Sequence, residues 1–175
     1  MKLLLLVVMF FLVSFTLPHS SLFNLSSVWE DHNGEKHNFS EIRNDKYKII
    51  TMIFTSCPAA CPLMVSHVKK LDMSLSKEQK EKVEYLFFSI DPLDKKETLA
   101  AFHKKFSLDA RFIFFRNKNE ASILELAAVL GFKYKKIEKN LYSHGTDVYL
   151  LNPEGEIIKQ VKESFNAIEL GKKIP

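Results

Sequence analysis

The chain has 175 residues, of which 46% are hydrophobic, 26% charged and 12% aromatic, and its 25 Lys and Arg against 21 Asp and Glu leave a net charge of +4. That apolar share excludes general disorder, and 15 Phe beside only 5 Gly, 6 Pro and 2 Cys exclude a collagen-like, low-complexity or disulfide-dense chain. The charge is spread along the chain without a long block of one sign, so no nucleic-acid partner is expected.

The first segment, Met1-Lys2 followed by the apolar run Leu3 to Val13 and then Ser14 to Pro18, is short for a spanning helix, which needs about 20 apolar residues. Residues 1–17 therefore read as a signal peptide or, if uncleaved, a signal anchor that leaves the chain tied to a membrane. Residues 20–175 show no linker, repeat or composition shift and are expected to form a single domain.

Within that domain, Val28 to His37 carries Asn33-Gly34 between short mixed runs and predicts a β-hairpin. Tyr47 to Phe54 predicts a central strand, and Leu63, Met64, Val68 and Leu71 recur at helical spacing, so a helix is expected from Pro62 to about Leu75. Val83 to Ile90 is a second buried strand. Asp94 with Glu97 has the spacing of a capping box ahead of a helix that presents Leu99, Phe102 and Phe106. Arg111 to Phe115 is a third strand. Asn119 caps a helix striped with Ile123, Leu124, Ala127 and Leu130 and closed by Gly131. Thr146 to Leu151 and Glu156 to Val161 flank Asn152-Pro153-Glu154-Gly155 as a hairpin, and a short helix follows near Asn166. Strands alternating with helices predict an α/β fold. An N-terminal β-hairpin and a C-terminal antiparallel hairpin lie on a mixed sheet whose centre is parallel, an order compatible with a thioredoxin-like fold.

The two cysteines fall in Phe54-Thr55-Ser56-Cys57-Pro58-Ala59-Ala60-Cys61-Pro62, where the first central strand turns into a helix. Sheets of this kind carry ligand and redox groups at the carboxyl ends of their central strands. Four-residue spacing in a helix puts Cα atoms roughly 6 Å apart, within disulfide range, so the sulfurs can close on each other or hold a metal. Pro62 argues for an irregular turn over Cys57 to Cys61 with the helix beginning at Pro62, whose amino end would lower the thiol pKa values. A structural disulfide fits the same residues in a secreted chain.

Three separated motifs, Cys57-Pro58-Ala59-Ala60-Cys61-Pro62, Ser89-Ile90-Asp91-Pro92 and Ser143-His144-Gly145-Thr146-Asp147 running on to Gly155, resemble the Sco/SenC copper-chaperone family in its own order, from about Val28 to Val161. The resemblance implies a thioredoxin-like domain whose metal ligands are Cys57, Cys61 and His144, with copper as Cu(I) or Cu(II). It implies a role in delivering copper to the dinuclear copper site of cytochrome c oxidase, or in reducing that site's cysteines with Cys57 and Cys61 as the redox pair. Implied partners are the oxidase's copper-site subunit or another cuproprotein, together with other copper carriers or thiol oxidoreductases. The implied location is extracytoplasmic, in the periplasm or at the outer face of the inner membrane. An S₂N set of this kind suits Cu(I), whereas structural zinc wants a fourth protein ligand. The chain departs from the family pattern at Ala59-Ala60 and at Leu93 to Thr98, where an acidic residue and an Arg-Asp-Thr-Pro-like run are usual.

The remaining histidines have simpler expectations: His67 and His103 on solvated helix faces, His19, His32 and His37 near the start or in a turn, none with a ligand partner. Lys133, Lys135, Lys136 and Lys139 are expected in a solvated loop, with an electropositive rim for an acidic partner as the functional alternative. Asp91 and Asp94 either orient the site or serve local capping. The competing enzymatic reading is a thiol peroxidase or thiol-disulfide oxidoreductase of the thioredoxin superfamily, with Cys57 attacking and Cys61 resolving.

Overall fold

The computed structural model describes residues 21–139 and 141–175. The signal segment and His19 lie outside them, and no described helix is long and apolar enough to cross a membrane. In chain order the elements are β1 (Val28–Asp31), β2 (Lys36–Asn38), β3 (Tyr47–Ile53), α1 (Ala60–Ser74), α2 (Lys77–Glu81), β4 (Val83–Ser89), α3 (Lys96–Lys105), β5 (Phe112–Arg116), α4 (Glu120–Leu130), β6 (Tyr134–Glu138), β7 (Leu141–His144), β8 (Val148–Leu151) and β9 (Ile157–Val161). A 3₁₀ segment over Ser164–Lys173 stands where the last short helix is expected.

The fold grows from β3, β4 and β5, which run parallel because helical crossovers join them. Such strands are covered on both faces, and β4 is buried along almost its whole length. The many Phe residues find their place here. Tyr85 stacks on Phe112 at 4.2 Å between centroids, Phe87 on Phe114 at 4.5 Å and Phe88 on Phe115 at 5.0 Å, each pair in register across β4 and β5. Trp29 meets Phe88 edge-on at 5.0 Å, so β1 is sealed to the Phe88 and Phe115 pair. Aromatic pairs of this sort contribute about 0.5–1.5 kcal/mol beyond their area.

Both hairpins extend this parallel centre with antiparallel edges. The full order is β2-β1-β5-β4-β3-β8-β9, a seven-stranded mixed sheet. Glu30 and Arg116 are register partners between β1 and β5, and their side chains form an ion pair at 2.5 Å. Gly34 and Gly155 close the two hairpin turns at φ +93° and +88°, backbone that favours glycine. The thioredoxin-like α/β layering expected from the element order is the one observed.

Four local expectations need correction. Helix α1 starts at Ala60 rather than Pro62, because a proline in the first turn sacrifices only an amide that has no intrahelical acceptor. Helix α3 starts after Lys95, where Thr98 Oγ1 accepts the Lys95 N–H at 3.1 Å; Asp94 is not its cap. In α4 the stripe is Ile123, Leu126, Ala127 and Leu130, with Leu124 61% exposed. The expected lysine loop is the separate two-stranded sheet β6-β7, bearing Lys135 and Lys136 on its first strand. The short helix α2 also escaped prediction, although Ser76 Oγ accepts from Gln79 N–H and Gln79 Oε1 from Ser76 N–H, a Ser-x-x-Gln capping box.

Candidate metal centre

The site assembles at the carboxyl end of β3. After Ile53 the chain leaves the sheet, Cys57 N–H donates to the Phe54 carbonyl at 3.3 Å, and α1 begins three residues later. Ala59 offers no side-chain cap to α1. Instead the Cys57 sulfur accepts the Cys61 N–H at 3.3 Å, serving as the acceptor that a hydroxyl or carboxylate usually provides. The Cys61 sulfur in turn accepts the Phe54 N–H at 3.3 Å. Both cysteines are free thiols and both are buried, Cys57 8% exposed and Cys61 fully covered.

His144 arrives from the end of β7, 83 residues beyond Cys61, and places Nε2 3.5 Å from the Cys61 sulfur. Its Nδ1 lies 2.6 Å from the Gly145 carbonyl, which only accepts, so Nδ1 carries the proton and Nε2 presents its lone pair to the sulfur. Phe54 stands edge-on to the ring at 5.4 Å and Phe132 lies at 6.1 Å, walls that leave the imidazole half-buried. Donor atoms of Cys57, Cys61 and His144 lie within 4.8 Å of one another, close enough to share one metal ion. The three residues singled out in the sequence are thus brought together.

Burial sets the electrostatics. It pushes the Cys61 thiol well above its ordinary value, and the Phe54 N–H pulls back only part of the way. The expected lowering of this thiol by the helix terminus is overturned here, since desolvation in an apolar setting outweighs a few oriented amides. Burial lowers the His144 pKa, with the Gly145 carbonyl acting in opposition, which keeps the imidazole neutral and available as a donor. Metal binding at Cys61 therefore releases a proton that burial otherwise holds on the sulfur.

Around the cluster, Asp91 accepts from Leu93 N–H at 3.0 Å and from the Tyr142 hydroxyl at 3.3 Å, tying the loop after β4 to β7. Asp94 Oδ2 accepts Thr55 N–H at 2.9 Å and Ser89 Oγ–H at 2.6 Å, while Oδ1 accepts the Thr55 hydroxyl. The other histidines lie elsewhere. His67 meets Ser164 Oγ at 3.0 Å, and His103 stacks on His32 at 4.6 Å. His37 lies with Asp31 and Glu35 in a second group of donor atoms, contrary to expectation. Asp31, however, already accepts Asn33 N–H at 2.8 Å and Glu35 N–H at 2.9 Å, the work of closing a hairpin turn.

The SCO1/SenC family model matches residues 21–175. The chain belongs to the SCO1/SenC family. Among SCO1/SenC relatives it is 27% identical over 146 residues to the SCO1 protein homolog of Bacillus subtilis (strain 168), covering 81% of this chain and 72% of that one. Its structure is similar to that of Arabidopsis thaliana ScoI with copper bound, at TM-score 0.71 and 21% identity, covering 86% of this chain and 98% of the other. It is also similar to BsSco, described as carrying a disulfide switch and as a member of the Sco family of cytochrome c oxidase assembly proteins, at TM-score 0.70 and 24% identity, covering 85% and 90%.

Proposed function

We propose that the chain is a copper metallochaperone whose Cys57, Cys61 and His144 hold one copper ion as cargo for the dinuclear copper site of cytochrome c oxidase. The observation that carries this reading is the convergence of two sulfurs and one imidazole nitrogen within 4.8 Å, in the tautomer that leaves Nε2 unprotonated. Two soft thiolates and one imidazole suit Cu(I), and an added oxygen ligand would accommodate Cu(II). A relative of the same fold has been solved with copper bound, and another is described as an oxidase assembly protein.

The same pair supports a redox role. Oxidation of the Cys57 and Cys61 thiols to a disulfide releases two protons, passes two electrons to an oxidised acceptor and removes both sulfur ligands together. Where that oxidised acceptor is a disulfide at the target copper site, the same step converts it to two thiols, which take up the two protons and two electrons, and so reduces that site's cysteines before metal transfer. The apolar leader fits an extracytoplasmic location, in the periplasm or at the outer face of the inner membrane, where acceptor and oxidants are both present. The peroxidase reading is disfavoured by Thr55, whose hydroxyl donates to Asp94 rather than to the Cys57 sulfur.

Anaerobic loading of the reduced protein with Cu(I) tests the proposal. About one ion per chain is expected, lost on prior oxidation and lost or severely weakened in Cys57→Ala, Cys61→Ala and His144→Ala. Retention of copper by all three variants overturns it.

A further inference from the structure

The turn that carries Cys57 is weakly held by its own backbone. Sheet pairing ends at Ile53, which is register partner to Ser89 and gives its carbonyl to Ile90 N–H at 2.8 Å. Beyond it, the contacts Cys57 N–H to Phe54 O, Cys61 N–H to Cys57 Sγ and Phe54 N–H to Cys61 Sγ are each 3.3 Å, long for their type where oxygen accepts and soft where sulfur does. The strong restraint comes from outside. Asp94, 6% exposed, takes both the amide and the hydroxyl of Thr55, and a third bond, accepted from Ser89, fixes it to the end of β4. Asp94 is itself held from behind, its N–H given to the Asp91 carbonyl at 3.0 Å. Only Ser56 separates Thr55 from Cys57.

We propose that Asp94 is a positioning residue for the metal cluster: its carboxylate fixes the path of the Thr55 to Cys57 turn and thereby the place of the Cys57 sulfur relative to Cys61 and His144. This rests on the copper-binding reading for its metal readout, but the placement of one sulfur against the other matters equally for thiol exchange. Among the described residues the carboxylate's hydrogen bonds go to Thr55 and Ser89 and not to a proposed ligand, although its charge is felt at Cys61. It acts through Thr55, as an outer partner that orients a ligand acts in a metal site, and loss of such a partner commonly weakens binding by about 10–100-fold.

The test uses the full chain with four substitutions: Asp94→Ala and Thr55→Val, which loosen the clamp; Asp94→Asn, whose amide oxygen still accepts Thr55 N–H while its NH₂ donates to Thr55 Oγ1; and Tyr85→Phe as a control. Tyr85→Phe breaks the 2.9 Å bond to Asp72 at the opposite end of the strands. Each reduced protein is titrated with Cu(I) against a chromophoric chelator, its Cu(II)–thiolate absorption band is recorded, and its thiol pair is equilibrated with oxidised glutathione, which is reduced to two thiols as the Cys57–Cys61 disulfide forms. Asp94→Ala and Thr55→Val are expected to weaken Cu(I) binding about tenfold or more, move the absorption band and shift the glutathione equilibrium. Asp94→Asn should recover most of the affinity and the band. Tyr85→Phe should lower the melting temperature and leave the metal and glutathione readouts in place. Wild-type affinity, band and equilibrium in Asp94→Ala overturn the inference, as does an Asp94→Asn protein as impaired as Asp94→Ala. Absence of copper binding in the wild type rejects the metallochaperone reading alone, and the glutathione equilibrium then decides the role of Asp94.

Discussion

At the scale of single residues, the site depends on which groups are denied water. A histidine ring flanked by Phe54 and Phe132 and pinned through Nδ1 to the Gly145 carbonyl favours its neutral form, while a sulfur as deeply covered as that of Cys61 resists giving up its proton. Asp94 shows the same effect in a carboxyl group: burial raises its pKa, and hydrogen bonds from Ser89 and Thr55 only partly offset this. The unfolded chain ionises at the ordinary carboxylate value, so the folded state binds the proton more tightly, and stability falls as pH rises from that value through the raised one. Asp94→Asn should remove this contribution. The denaturation midpoint of wild type is therefore expected to fall relative to that of Asp94→Asn as pH rises across that window and then level off, whereas a pH-independent difference would contradict it. Cys57, Cys61 and His144 were legible in the sequence because each sits in a motif. For Asp94 the sequence left site orientation and local capping open; its partner Thr55 was not legible, since the two are 39 residues apart and the Asp94-x-x-Glu97 spacing suggested a local cap that Thr98 provides instead.

At the scale of elements, punctuation was more readable than register. Asn119, Gly131 and the Asn152 to Gly155 turn all mark the boundaries that their chemistry predicts. The buried stripe of α4 slipped to include Leu126, because a helix this apolar offers more candidates than its core face can take. Strand β6 was missed because Tyr-Lys-Lys-Ile-Glu carries exposed side chains at four of its five positions and so lacks alternation. Two glycines permit a graded test. Gly131 has φ +68° with no atom within 4 Å of an added Cβ, so Gly131→Ala should cost only the left-handed backbone penalty of about 1–2 kcal/mol. Gly155 has φ +88° and its Cβ would meet the Phe23 ring and Ser21 Oγ, both at 2.5 Å, so Gly155→Ala should cost clearly more by urea denaturation. Equal losses would show that the Phe23 contact relaxes freely.

At the scale of the whole molecule, the two ends of the parallel strands do different jobs. The carboxyl ends gather the sulfur and imidazole donors, while the amino ends are stapled by charge. Lys48 is fully buried and donates to Glu84 at 2.7 Å and to Asn44. Glu84→Ala would leave that ammonium without its counter-charge and should destabilise the fold by about 3–5 kcal/mol, with most of the loss recovered in the Lys48→Met/Glu84→Ala double variant. Additive losses in that cycle would exclude a specific pair. The alternation of strands and helices was enough to foresee the parallel centre, but the seat of β1 against β5 depends on the long-range partnership of Glu30 and Arg116, which no local pattern announces. Among the described residues the β6-β7 hairpin is a sheet of its own, with no strand pairing to the seven-stranded sheet, yet it supplies His144. A two-stranded ribbon is marginal by itself, and here it is tied to the body through Tyr142, which packs on Phe54 and donates to Asp91. A copper ion shared between His144 and the cysteines would therefore add a further cross-link from ribbon to body beside Tyr142. Amide hydrogens of β6 and β7 should exchange with deuterium markedly more slowly in the loaded protein, while those of β3 to β5, already protected, keep their rates.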